Sequence, residues 1–375
     1  MAVKVLSLVA LGLVLASGGV AEAQIKIGLS APLTGPDAPY GQGMRMGAEQ
    51  AVADINRAGG INGQRLALVV ADDSSDAKQG LAAARRFVSE KVRLVVGPLA
   101  PSVASAVLPS YEAAGIVVVT PGASWAPLTA RGLWNVFRIC GSDADQGRLA
   151  GAYLAKAHRG RRIGIVHDKT AFGRGLADEV SRTLKAAGES EAAFEGFDRG
   201  ERDLSRLVDR LVRARVEVVY LGGLAGDAAA LVRAMRAAGL SAPLVGSDGL
   251  IDKDFVAEAE GTVITAQLEP RKLPEVRAPD ARGAPPKLSR TPESDSIAGQ
   301  TYAAIEVMAR AAEQAKSTEG RAIAAVLHGG RTVRTLIGDL AFDAGGDLRP
   351  SAYALYAWRR TADGRIDYLG NQVSP

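Results

Sequence analysis

Few side chains in this sequence have a type and spacing that could drive chemistry on their own. The three histidines, His158, His167 and His328, stand far apart, and none has a second ligand at metal-binding spacing. Each reads as a surface or structural residue. Cys140 is the only cysteine; nothing in its surroundings marks a nucleophile, so it reads as a small buried residue, and it has no partner for an internal disulfide. Gly222-Gly223-Leu224-Ala225-Gly226 follows a strand-like run. It lacks the full G-x-G-x-x-G spacing and the acidic residue expected beyond the next strand, which argues against a dinucleotide site. Asp72-Asp73 ends another strand-like run, as many surface loops do. The sequence therefore offers no catalytic set, no metal site and no cofactor site.

Binding chemistry is better served. Val117-Val118-Val119 is a run of β-branched residues suited to a strand buried on both faces, and Pro121-Gly122-Ala123-Ser124 ends it in a turn of small residues. Such a turn lets a ligand approach the backbone closely, and open α/β sheets collect ligands beyond the carboxyl ends of their strands. Asp248 ends the run Pro243 to Asp248 in the same way, 124 residues after Ser124. An acid there suits an ammonium group, and helix starts near Ser102, Ser124 and Phe172 would offer free N–H groups and positive dipole ends to a carboxylate. Tyr40 and Phe172 would supply flat apolar walls. Capping is the competing use for Ser124 and Asp248, and core packing for the two aromatics. Trp125, beside Ser124, either narrows the pocket mouth or packs against its own lobe.

The elements that must position these residues repeat. Ile25 to Leu29, Leu66 to Val70, Val92 to Val96 and Val117 to Val119 alternate with helical patterns, and the pattern restarts near Asp143. A strand, a loop and aromatic-Gly-X-Gly open each half, with Tyr40 answering Phe172. Val92 and Val216, Gly115 and Gly239, and Ser124 and Asp248 all share the one offset. The pattern predicts an α/β chain of two similar doubly wound parallel-sheet lobes joined by a multi-strand hinge. Beyond Asp248 the sequence predicts a strand at Thr262 to Leu268 and a Pro-rich crossover from Glu269 to Ser296. Helices follow at Ile297 to Ala315 and Arg321 to Leu327. Strands at Tyr353 to Trp358 and Ile366 to Leu369 would flank the turn at Asp363-Gly364.

Composition bounds the class. Lys4, the apolar run Val5 to Ala16 and the small-residue site Ala21-Glu22-Ala23 form a secretory signal over 1–23, with cleavage expected before Gln24 and a soluble chain beyond it. The net charge of +4 is unchanged by that cleavage, because Lys4 and Glu22 leave together. Basic and acidic residues are interspersed, with no basic stripe for nucleic acid. The domains expected are 24–141 plus 270–346 and 142–269 plus 347–375. Hinges are expected near Gly141-Ser142, Leu268-Glu269 and the Ala344–Asp347 turn.

Taken together, several stretches resemble the periplasmic leucine/isoleucine/valine-binding proteins, the type I solute receptors of ABC importers. They include Ile27 to Gly35, Tyr40-Gly41, Gly47 to Asn56, Gly59-Gly60-Ile61, Thr120-Pro121, Leu128 to Gly132 and Ile165 to Lys169. The resemblance implies a receptor that binds an amino acid with a branched-chain or other apolar side chain, or a related amide. Its other partner would be a membrane permease, and it would work as a monomer in the periplasm. It implies ligand contacts from Tyr40, Ser102, Gly122, Ala123, Ser124, Phe172, Leu221 and Asp248, with Leu224 as the alternative to Leu221. Where the family commonly has tyrosines this chain has Phe172, Leu221 and Leu224. Pro101 replaces the usual serine, Asp248 the usual glutamate, and the positions of a family disulfide read Ser75 and Ala100. Closure about the hinge would bring Asp248 and Phe172 onto a ligand first held by the other lobe. A sensory module would need a fused effector or a membrane span, and a secreted two-domain enzyme would need an acid–base pair in the cleft.

Overall fold

A computed structural model describes residues 24–267, 292–349 and 353–374; the expected signal segment and most of the expected Pro-rich crossover lie outside them. The first lobe alternates β1 (Ile25–Ala31), α1 (Ala38–Arg57), β2 (Leu66–Asp72), α2 (Ala77–Ser89), β3 (Leu94–Val96), α3 (Pro101–Ala113), β4 (Val117–Thr120), α4 (Pro127–Ala130) and β5 (Val136–Arg138). Its five strands are all parallel, in the order β2-β1-β3-β4-β5. The central strands β3 and β4 are buried at every residue, as β-branched runs without polar alternation require.

The second lobe repeats the plan. It runs α5 (Asp143–Ala157), β6 (Ile163–His167), α6 (Ala171–Ala186), β7 (Glu191–Gly196), α7 (Ser205–Arg213), β8 (Val218–Gly222), α8 (Ala225–Ala237), β9 (Leu244–Ser247), a short 3₁₀ turn (Asp248–Leu250), α9 (Lys253–Val256) and β10 (Val263–Gln267). Its parallel strands stand in the order β7-β6-β8-β9-β10, which is the first lobe's order again. In each sheet the strand order reverses direction beside the first strand, the place where doubly wound sheets open a crevice. The offset of 124 residues carries α3 onto α8 and Gly115 onto Gly239, but it slips by two at the next strand: Val95 pairs with Val118 where Val219 pairs with Leu244. β4 and β9 are thus the same strand of two similar lobes, but the expected equivalence of Ser124 and Asp248 is corrected: Asp248 directly follows β9, whereas Ser124 lies beyond the turn at 121–123 after β4. Gly115 and Gly239 share a left-handed backbone as well, at φ 70° and 72°, which explains why both copies use glycine to leave a helix.

The chain returns to the first lobe with α10 (Pro292–Ala315), α11 (Gly320–His328), β11 (Val333–Thr335) and β12 (Gly338–Leu340). Buried α10 residues such as Ile305 and Met308 join Ile27, Leu29 and Met44 in one core. The last five residues of the expected crossover, 292–296, are thus the first turn of a helix. Then β13 (Tyr353–Ala357), β14 (Arg359–Arg360), β15 (Ile366–Asp367) and β16 (Gln372–Val373) complete the second lobe. Here the expected pairing is corrected. The Asp363-Gly364 turn joins only the small β14–β15 hairpin, and β13 runs antiparallel to β10 and β16. The turn at 344–347 is also anchored to the first lobe, because the Gly346 carbonyl accepts from Arg138 N–H at 2.9 Å and Asp347 pairs with Arg138. From α10 up to Arg349 the described residues thus pack with the first lobe, and Tyr353 opens β13 of the second.

Candidate functional site

Each lobe plants an aromatic residue at the cleft by the same device. Tyr40 and Phe172 sit in the first turns of α1 and α6, and each is followed by a glycine. A Cβ on Gly41 would lie 1.9 Å from the Pro32 carbonyl oxygen, and one on Gly173 would lie 2.4 Å from that of Gly222. Only glycine lets the helix start press onto the end of a strand, at Pro32 just past β1 and at Gly222 closing β8, and that contact fixes where the ring points.

The turn after β4 is held from below. The Thr120 hydroxyl donates to the Pro98 carbonyl at 2.7 Å and accepts from Ala123 N–H at 2.9 Å and, more weakly, from Gly122 N–H at 3.3 Å. Arg138, fully buried, donates to the carbonyls of Ser124 (2.7 Å) and Trp125 (2.8 Å) and pairs with Asp347 at 2.7 Å. A charge inside the apolar run Val136-Phe137-Arg138-Ile139 is the sequence signal for this prop, and sequence reasoning passed over it. Buried guanidinium is stable only when its donors are used, and here they brace the turn.

Across the cleft, Ser247 caps the 3₁₀ turn by accepting from Gly249 N–H, and Asp252 caps α9. Asp248 is therefore spared the capping role. Its half-buried carboxylate accepts from Gln146 Nε2 at 2.9 Å, and among the described residues no cation is paired with it. Withdrawal from water pushes its pKa up from 3.8 to about 6, against the opposing pull of the Gln146 hydrogen bond. Nearby, Asp143 is fully buried, with neither carboxylate oxygen hydrogen-bonded. Burial pushes Asp143 up to about 7, only partly offset by the neighbouring Ser124 hydroxyl and Arg138. Burial likewise raises the Cys140 thiol well above its ordinary value, which keeps it protonated and unreactive.

These elements enclose a cavity of about 350 Å³ between the lobes. Of the sequence-predicted residues, Tyr40, Ser102, Gly122, Ser124, Phe172 and Asp248 line it. Ala123 and Leu221 do not. Ala123 is fully buried and packs with Val103 and Val118 in the core behind the turn, and Leu221 is buried in the core of the second lobe beside Val219. Strand β8 is buried on both faces, so alternation cannot tell core from cavity; Leu224, past the strand end, takes the wall position. Trp125 packs against the first-lobe core with the Arg131 guanidinium 5.5 Å over its ring, and it is not part of the wall.

Several wall residues carried no recognised signal. Asp37 and Arg199 pair at 2.7 Å across the cleft. At the hinge, the Cys140 carbonyl accepts from Gln267 Nε2 and from the Tyr353 hydroxyl, both at 2.5 Å, and Gln300 donates to Gln267 at 2.6 Å. These bonds tie the chain crossings together beside the cavity. Asp72 and Asp73 hold the cleft loops together. They accept from Leu33 N–H at 2.8 Å and the Ser30 hydroxyl at 2.7 Å, joining the loops after β1 and β2 that carry Asp37 and Ser75.

The arrangement suits a small zwitterion. The start of α3 carries no side-chain cap, while that of α6 is capped by Thr170 through Gly173 N–H; both bring positive dipole ends to the cavity. Asp248 supplies a negative charge in the wall, and Leu99, Leu224, Ile251 and Ile297 give the remaining wall an apolar character.

Comparison with known proteins bears on the family and the fold. The sequence profile described as periplasmic binding protein matches residues 24–364. Leu/Ile/Val-binding protein homolog 1 of Brucella melitensis is 37% identical over 365 residues, covering 96% of this chain and 97% of that protein. The Streptococcus pneumoniae branched-chain amino acid transporter substrate-binding protein, solved in complex with isoleucine, superposes with a TM-score of 0.76 at 23% identity, covering 94% of this chain and all of that one. A solute-binding protein of R. palustris, solved in complex with 4-hydroxybenzoate, superposes at 0.79 with 16% identity over 94% and 97% of the two chains. At such identities these two structures bear on the fold.

Proposed function

The chain belongs to the periplasmic binding protein family, and on that premise we propose that it is the periplasmic receptor of an amino-acid importer. In this reading it takes an amino acid with a branched-chain or other apolar side chain into the inter-lobe cavity. The ligand α-carboxylate lies against the turn at Gly122–Ser124 and the start of α3 at Ser102. Its ammonium meets Asp248, and its side chain lies between Tyr40, Phe172 and Leu224. The first lobe holds the ligand, and rotation about the crossings near Gly141, Gln267 and Tyr353 brings the second lobe onto it. The closed form is then what a membrane permease recognises.

The observation that carries this reading is Asp248: a carboxylate in the cavity wall, drawn away from water, whose ionised form gains most from a cationic partner. An aromatic acid of the kind bound by the R. palustris protein would leave that charge uncompensated. A thermal-shift screen over amino acids, their amides and aromatic acids tests the proposal. Stabilisation by leucine, isoleucine or valine is expected; stabilisation by 4-hydroxybenzoate alone would overturn it.

A further inference from the structure

The cavity is closed at one side by an ion pair between the lobes. Asp37, in the loop before α1, accepts from the Ser75 hydroxyl at 2.7 Å and from Arg199 at 2.7 Å. Its own lobe thus holds it in place for a partner 162 residues away. Arg199 follows β7 in the second lobe, and both residues line the cavity. Side-chain exposure is 14% for Asp37 and 34% for Arg199, so the pair lies at the boundary between cavity and solvent. Arg199 also faces two acids of its own lobe, Asp168 and Asp227. One Asp168 oxygen caps α6 through Thr170, while the other is buried without a hydrogen-bond partner.

We infer that Arg199 is a closure latch: it pairs with Asp37 when the lobes close and turns to Asp168 and Asp227 when they part. A conformational equilibrium responds only to contacts that differ between its states. The bond to Asp37 exists only in the closed form, whereas Asp168 and Asp227 travel with Arg199 and compete with Asp37 for its guanidinium, holding it more fully when the lobes are apart. The first acid therefore favours closure and the other two oppose it. Because the pair forms as the lobes close, and a ligand enters while they are apart, its main effect on binding falls on release; in the ligand-free chain it biases the balance of open and closed forms.

This inference rests on the closing receptor proposed above. The test is stopped-flow binding of L-leucine to the intact chain and to four variants. Asp37→Asn and Arg199→Gln should each raise the off-rate about 3- to 10-fold, as for a partly exposed charged hydrogen bond, and leave the on-rate nearly unchanged. The double variant should be no faster than either single one, since both remove one interaction. Asp168→Asn, which keeps an oxygen for the cap, should slow release. High salt should bring the wild-type off-rate towards that of the variants.

Additive effects of Asp37→Asn and Arg199→Gln would overturn the latch, because Arg199 would then act on the ligand itself. So would a faster off-rate in Asp168→Asn. If L-leucine gives no binding to the wild type, the ligand reading fails instead. The latch is then read by small-angle scattering of the ligand-free chain, where a wild type no more compact than Arg199→Gln contradicts it.

Discussion

Replacing Asp248 by asparagine should move ligand affinity and ligand-free stability in opposite directions. The substitution keeps the shape and an oxygen to accept the 2.9 Å bond from Gln146 but removes the charge. In the ligand-free fold that charge is a burden. Desolvation raises the carboxyl from 3.8 to about 6, which at about 1.4 kcal/mol per pH unit makes the ionised form about 3 kcal/mol less comfortable than in the unfolded chain. For an acid whose folded value is raised, the penalty is absent below its unfolded value and complete above the folded one. Asparagine should therefore match the wild type near pH 3.5 and stabilise the protein at pH 8, by several degrees at about 2–4 °C per kcal/mol. Binding should respond the other way. Loss of one partner from a charged pair enclosed in an interface costs about 2–5 kcal/mol, a weakening of affinity by about 30-fold or more. Scanning calorimetry at the two pH values, with titration calorimetry of L-leucine at pH 7.5, reads both. Unchanged affinity, or a less stable ligand-free variant at pH 8, would refute the reasoning.

Four further outcomes are expected of the same structure. Wild-type Kd for leucine should rise about tenfold per pH unit below about 6, as Asp248 takes up a proton, while the asparagine variant shows a flat profile in the same titrations. Leu224→Ala should weaken leucine binding with little change in Tm, since Leu224 lines the cavity. Leu221→Ala should do the reverse, lowering stability by about 2–5 kcal/mol in urea titrations with Kd unchanged. Arg138→Met should cost about 3–5 kcal/mol through the stranded Asp347 and the released turn carbonyls, and weaken binding as well; full retention of both would remove its bracing role.

The two-lobe plan was legible because parallel sheets buried on both faces write their strands as unbroken apolar runs, and because one offset holds through a whole strand and helix, from β3 and α3 to β8 and α8. That offset led to the end of the fourth strand in each lobe, but it slips by two there, so Ser124 and Asp248 share a region of the cleft and not an equivalent position. The same burial hid the difference between Leu221 and Leu224, since a strand with no polar face gives no parity to read. Arg138 left a visible trace, a charge within an apolar strand, whose meaning depended on a turn and on Asp347, 209 residues away. Asp37 and Arg199 left none: each looks like a solvated loop residue until the lobes face one another. The small β14–β15 hairpin was missed because a turn signal names a reversal without naming which strand it returns to.

The central claim is that the cavity selects a ligand carrying both an α-carboxylate and an α-ammonium group. Titration calorimetry at pH 7.5 with L-leucine and with its keto acid, 4-methyl-2-oxopentanoate, isolates the second group, because the two share a side chain and a carboxylate. Leucine should bind, and the keto acid should bind at least about 30-fold more weakly. Equal or tighter binding of the keto acid would contradict the claim.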